Sequence, residues 1–284
     1  MIDARAGDRP SFTLALPLLL LFAALPLWGE EAVQLPPFAL GGTLLNVPTA
    51  ATLPAKTSEV RFTHRFSQPV NEGDADSLWG LDGSSDIGIA YSYGVTSDLE
   101  GGIYRSDVQD DWELSAKYAL RRQSGDYPLS ITVRAGADVR TEDGSDDGAT
   151  PFAQCVLEKQ IGPRLKLIAA PSVIGEWGAY DYAFNVPLGL AWSIKPHMIL
   201  AVEVIPENGD QPDGFDSSVG WSVGLKHSIG GHFFEFVVGN TRATHVSQYV
   251  TSSIFASTEP AAMNGFEAGD VFLGFNIERR FGGM

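Results

Sequence analysis

His245 and Ser247 stand two positions apart, the spacing at which a base and a nucleophile share one face of an extended strand. Such a pair would serve hydrolysis, with the imidazole taking the hydroxyl proton. His-x-Ser also arises by chance in a chain with 5 histidines, and an ordinary external loop is the stronger reading of it. A second motif, Asp143-Gly144-Ser145-Asp146-Asp147-Gly148, has the oxygen density of a calcium loop. Gln154 stands where the bidentate Glu of that loop is required, so the stretch reads as a solvated acidic loop able to take surface divalent cations weakly. No Cys/His spacing, haem-attachment motif or P-loop occurs, and neither a cofactor, a metal ligand set nor a catalytic residue is expected.

A third group is larger. Arg61, Arg65, Lys117 and Arg134 fall in the same alternating phase as Glu113, Asp138, Glu203 and Glu235, each on the polar side of an apolar/polar alternation. What they do depends on the elements that carry them. Past residue 56 the hydrophobic period is two, the mark of strands with one apolar face. Leu129, Ile131, Val133, Ala135, Ala137 and Val139 alternate with Ser130, Thr132, Arg134, Gly136 and Asp138. Similar runs begin near Val60, Ile87, Trp112, Phe184, Met198, Val219, Phe234 and Val271, with weaker ones near Leu99, Ala153 and Leu165. About twelve strands follow from this pattern.

The connections decide between a soluble sandwich and a membrane barrel. Tight turns at Thr96-Ser97-Asp98, Gly162-Pro163-Arg164, Lys195-Pro196 and Gly230-Gly231 alternate with longer stretches at 67–85, 140–150, 175–182, 206–217 and 241–269. Alternation of short and long is the habit of outer-membrane barrels and has no reason to appear in a sandwich. The long connections carry Glu72, Asp74, Asp76, Asp82, Glu142, Asp143, Asp210, Asp213 and Asp216, and the opposite ends carry Arg121, Arg122, Arg164, Lys166, Lys195, Lys226, Arg279 and Arg280. Trp112 and Trp221 mark loop-side strand ends, and Tyr93, Tyr118 and Trp192 turn-side ends, the positions of two aromatic girdles.

Composition fits the same picture. The chain has 284 residues, 44% apolar and only 19% charged, with a net charge of −16. That acidity excludes nucleic acid as a partner, since no basic excess is available to neutralise phosphates. From Phe12 to Trp28 no charge occurs, and Arg5 and Arg9 precede the run, so residues 1–29 read as a signal peptide; a retained anchor is the weaker alternative, because Pro17 and Pro26 interrupt a marginal length. Residues 30–56 read as an N-terminal extension, periplasmic or partly inside the barrel, and residues 57–284 as the barrel.

Six strings, in order, resemble a family of bacterial membrane-bound β-barrel domains with no established activity: His64-Arg65-Phe66; Gly80-Leu81-Asp82; Tyr93-Gly94-Val95-Thr96; Lys117-Tyr118 with Leu120-Arg121-Arg122-Gln123; Gly230-Gly231-His232 with Phe234; and Asn240-Thr241. The resemblance spans about residues 44–281 and implies an outer-membrane barrel without assigning a reaction or site residue. His245-Val246-Ser247 separately resembles the His-x-Ser element of a smaller lipid A deacylase family, whose flanking residues do not match here.

The expected protein is therefore all-β: a signal peptide, then an antiparallel transmembrane β-barrel of about twelve strands in a Gram-negative-type outer membrane, both termini periplasmic. Its partners are outer-membrane lipid, with small solutes and surface divalent cations as further candidates. The eight charged residues would project into a narrow lumen. They form either the lining of a porin-like passive channel or an ion-pair network that fills the lumen of a scaffold barrel. A lipid-acting hydrolase is the remote third reading.

Overall fold

The computed structural model describes residues 36–107, 110–141, 149–175, 182–207, 219–250 and 269–282. The leader expected at 1–29, the acidic loop from Asp143 to Gly148, and Asp210, Asp213 and Asp216 lie outside these residues. The strands are β1 (Thr57–Phe66), β2 (Ser85–Gly94), β3 (Leu99–Ser106), β4 (Asp111–Arg121), β5 (Ser130–Arg140), β6 (Ala149–Ile161), β7 (Leu165–Ala169), β8 (Ser172–Ile174), β9 (Ala183–Asn185), β10 (Leu188–Lys195), β11 (Met198–Ile205), β12 (Gly220–Ile229), β13 (His232–Gly239) and β14 (Phe272–Gly282). A short helix α1 (Val246–Val250) lies between the last two.

All pairings are antiparallel, and β1 bonds both β2 and β14 while β5 bonds β6, so the sheet closes on itself. Fourteen strands make twelve staves. β7 and β8 both pair with β6 and form one broken stave, and β9 with β10 forms the next. The breaks fall at Pro171 and Pro187, which have no N–H to give a ladder. Their carbonyls keep the sheet joined: the Cys155 N–H donates to the Pro171 carbonyl at 2.9 Å and the Ala170 N–H to the Pro187 carbonyl at 2.9 Å. The expected count of about twelve strands is thus the number of staves.

Burial follows the period of two. In β1 Thr57, Glu59, Arg61, Thr63 and Arg65 are buried, and the residues between them are not. In β4 Asp111, Glu113 and Lys117 are buried, while Trp112, Leu114, Tyr118 and Leu120 face outward. Leu114 is 54% exposed and Phe236 53%, far too much bare apolar surface for a chain surrounded by water. This is an inverted protein, with its oil on the outside. A closed barrel bonds every backbone group internally, which lets such a surface lie in lipid. Trp112, Tyr93, Tyr118 and Trp192 are all exposed near strand ends, where headgroups would meet rings.

An arginine at the outward midpoint of β4, Ala116→Arg, is expected to destabilise the barrel by about 2–4 kcal/mol, whereas Trp112→Arg near the strand end costs about 0–1 kcal/mol. Urea titration of folding into lipid vesicles measures both.

Candidate functional site

What the inward residues meet is decided by the segment before β1. Residues 39–53 lie inside the barrel, with Leu44, Leu45, Val47 and Thr49 fully shielded from solvent. The segment turns back on itself, the Leu44 N–H donating to the Val47 carbonyl at 2.8 Å and the Thr49 N–H to the Gly42 carbonyl at 3.0 Å. This tight reversal leaves several backbone groups unpaired within the segment, and the wall supplies their partners, as buried peptide groups require.

Glu203 is the clearest supplier. Its carboxylate accepts the N–H groups of Leu45, Asn46 and Val47 at 2.8, 2.9 and 2.8 Å. Lys226 donates to the carbonyls of Thr43 and Leu44 at 2.9 and 3.2 Å. Asn276 donates to the Leu45 carbonyl at 3.0 Å, and Arg61 donates to the same oxygen. Lys117 reaches the Gly42 and Ala51 carbonyls, Thr132 the Ala50 carbonyl at 2.7 Å, and Glu100 accepts the Leu53 N–H at 2.8 Å. Arg65 bonds the Asn46 and Asn276 side-chain oxygens at 2.7 and 2.8 Å.

Most of the remaining charges pair with one another. Lys226 lies 2.6 Å from Glu235 and 3.9 Å from Glu278, and Arg61 lies 3.3 Å from Glu278. Arg134 pairs with Glu113 and donates to Gln154 at 2.7 Å; Arg280 pairs with Glu59. Such pairing is needed because an unpaired charge in this interior costs several kcal/mol of desolvation. The eight residues singled out from the sequence thus all carry inward side chains: Arg61, Arg65, Lys117 and Glu203 engage the inserted segment, Glu113 and Arg134 each other, Glu235 Lys226, and Asp138 the segment after β13. Lys226, expected at a basic turn-side end, is instead fully buried at the centre of this network, because its phase in β12 points it inward. Glu278 and Asn276 were visible only as alternate positions of a run that begins at Val271.

One half of the inserted segment is apolar. Leu40, Leu44, Leu45, Val47 and Ala50 pack with Val156, Ile168, Ala191, Ile199, Ala201 and Val237 of the β6–β13 wall. The wall is cut back to receive them: a Cβ on Gly189 would stand 2.8 Å from Leu44 Cδ2, and one on Gly224 2.5 Å from Leu45 Cδ2. On the other half, toward β1–β5, the contact is looser. A polar cavity of about 80 Å³ remains there, bordered by Arg61, Glu100, Glu113, Lys117 and Arg134, with Thr43 and Asn46 on the segment side. Several waters fit such a volume.

The connection after β13 also departs from expectation. Residues 241–250 were expected to belong to an external loop, but Ala243, His245, Val246, Ser247, Tyr249 and Val250 are buried. Their apolar members join Phe152, Ile174, Ala183 and Ile205 in a second cluster, which explains why this stretch turns inward. Ser247 donates to Asp138 from both its N–H, at 3.2 Å, and its hydroxyl. His245 and Ser247 therefore share a neighbour without forming the hydrogen bond of a base with its nucleophile. Burial opposes a charged His245 imidazole, but Asp138, Asp111 and Glu113 outweigh it and hold its pKa above the usual histidine value. Burial pushes the Tyr249 hydroxyl up.

A closed antiparallel barrel of twelve staves, apolar outside and charged within, is a membrane β-barrel. The chain belongs to the family described as "Membrane bound beta barrel domain (DUF5777)", which matches residues 40–281. No curated protein matches it. Among solved structures it is similar to the outer membrane phospholipase A of Escherichia coli (10% identity, TM-score 0.43, 80% of this chain and 90% of that one). It is also similar to an outer membrane channel of Pseudomonas putida F1 (14% identity, TM-score 0.45, 82% and 98%). OccK11 of Pseudomonas aeruginosa is a third (10% identity, TM-score 0.34, 81% and 64%).

Glu203→Ala removes the acceptor of three buried N–H groups, each bond to a charged group being worth about 1.5–3 kcal/mol. The inserted segment is expected to become cleavable by a non-specific protease between residues 40 and 50 while the far-UV signal of the barrel is unchanged. Gly189→Leu is expected to do the same by filling the Leu44 socket.

Proposed function

We propose that this protein is an outer-membrane passage for small polar solutes whose bore is set by its own N-terminal segment. The observation that carries this reading is the asymmetry of the lumen. On the β6–β13 side the inserted segment is sealed by close apolar contact, and on the β1–β5 side a polar cavity with charged borders is left beside it. A segment whose sole task was to fill the lumen has no reason to leave a charged void on one side. Arg61, Lys117 and Arg134 line that void together with Glu59, Glu100 and Glu113, a mixed-sign lining suited to modest ion preference rather than strong selection.

The second reading is a scaffold barrel with a closed lumen, its acidic outer connections serving as a binding surface. The Lys226–Glu235–Glu278 cluster favours it, because buried pairs of this kind also hold a wall rigid. Hydrolysis is not part of either reading. The expected nucleophile–base pair needs a Ser247–His245 hydrogen bond, and the Ser247 hydroxyl goes to Asp138 while both His245 ring nitrogens lack a hydrogen-bond partner.

Planar-bilayer recording separates the two. The passage reading expects small, reproducible currents from the wild type and several-fold larger ones from Glu203→Ala. Lys117→Glu should shift the reversal potential in a salt gradient toward cation preference. Well-folded wild type and Glu203→Ala that both carry no current would leave the scaffold reading.

A further inference from the structure

Glu113 and Asp138 stand directly opposite each other across the β4–β5 ladder, and Asp111 lies two positions along the same inner face. Like charges directly opposite weaken a sheet, and here both are buried, as is Asp111 at 0% exposure. The segment 241–250 brings His245, also 0% exposed, against them. One donor atom from each of Glu113, Asp138 and His245 lies within 4.8 Å of the other two, and His245 Nδ1 is 3.9 Å from Asp138 Oδ1. Both ring nitrogens of His245, Oδ1 of Asp138 and both carboxylate oxygens of Asp111 have no hydrogen-bond partner. Buried polar atoms left bare in this number, with those of Asp138 and His245 gathered beside Glu113, need an occupant.

We propose that Glu113, Asp138 and His245 hold one divalent transition-metal ion of the Zn²⁺ type, and that the ion fastens the inward-folded segment 241–250 to β4 and β5. An imidazole among carboxylates, with no thiolate, suits Zn²⁺ and its neighbours better than Ca²⁺ or Mg²⁺, which take oxygen ligands and more of them. Donors around one tetrahedral ion stand about 3.4 Å apart, so small side-chain rotations bring the present set into place. The surrounding contacts are those of a second shell. Arg134 engages Glu113 Oε1, and the Ser247 hydroxyl engages Asp138 Oδ2, each fixing a carboxylate through one oxygen. Arg134 is itself fixed, its guanidinium 4.9 Å over the Phe152 ring and bonded to Gln154. Glu113 and Thr244 both border the polar cavity, so the site adjoins it. A bare ion pair between charged His245 and Asp138 accounts for less: it leaves both carboxylate oxygens of Asp111 without a hydrogen-bond partner.

The test uses the metal alone as probe, Zn²⁺ titrated into chelator-stripped, refolded full-length protein at neutral pH, with competition by a chromogenic chelator. One equivalent is expected to bind per chain. His245→Gln and Asp138→Asn should each weaken binding at least about tenfold, the loss that second-shell changes alone produce. Cys155→Ser, on the outward side of β6, should leave it unchanged. Co²⁺ in place of Zn²⁺ should give weak visible bands without a sulfur charge-transfer band, and this reading on the wild type decides the matter even where a variant fails to fold. Absence of a stoichiometric site, undiminished binding in folded His245→Gln, or a thiolate band lost in Cys155→Ser would each overturn the proposal.

Discussion

A charge taken out of water must find an opposite charge or a set of aligned dipoles, and the inside of this barrel is arranged around that requirement. Lipid claims the outward positions for apolar side chains, so the charged residues of the strands are confined to the lumen. Twelve staves enclose too little space for each of those charges to keep a hydration shell. Lys226 answers to Glu235 and Glu278, Arg61 to Glu278, Arg134 to Glu113, and Glu203 to three peptide N–H groups. The last case differs in kind. A carboxylate neutralised by backbone dipoles rather than by a cation ties the wall to whichever segment supplies the dipoles, so the inserted segment is as much a part of the electrostatics as any stave.

The barrel could be read from the chain because its rule is local. A strand in lipid must alternate, and β5 alternates from Ser130 to Arg140 without a break, so strand, face and inward charge all come from one short window. The broken staves read as unbroken runs near Leu165 and Phe184, because the alternation continues in phase past Pro171 and Pro187. Lys226 lies near the Gly230-Gly231 turn, which suggests a basic turn-side end, but its phase puts it on the same inward face as Ser222 and Ser228.

A place inside the barrel was one of two alternatives open for the segment before β1, and the wall groups that hold it there were not legible, for a physical reason. Residues 39–53 have neither period, and their bonds run from backbone groups, which every residue has, to side chains far along the chain. No residue type marks a peptide N–H that will meet a carboxylate. The Leu44-Leu45-Asn46-Val47 string signals burial but not its partner, and the glycines that make room for it, Gly189 and Gly224, read as ordinary strand glycines. The same holds for Glu113, Asp138 and His245. The first two are brought together by register, the third by the burial of Val246, Tyr249 and Val250, and none of this leaves a trace in linear spacing.

The inserted segment precedes the first strand in the chain, yet it bonds to side chains of β3, β4, β5, β6, β11, β12 and β14. Its contacts with β14 join residues more than two hundred positions apart. The seam between β1 and β14 is the pairing that completes the cylinder. A chain whose earliest described part must end up encircled by its last strand cannot finish one hairpin at a time. The segment has to be in place while the seam is still open, or be threaded afterwards through an interior already crowded with paired charges. Assembly of this barrel is therefore a wrapping around a core that the chain itself supplies, and the step that closes the wall also seals the segment inside.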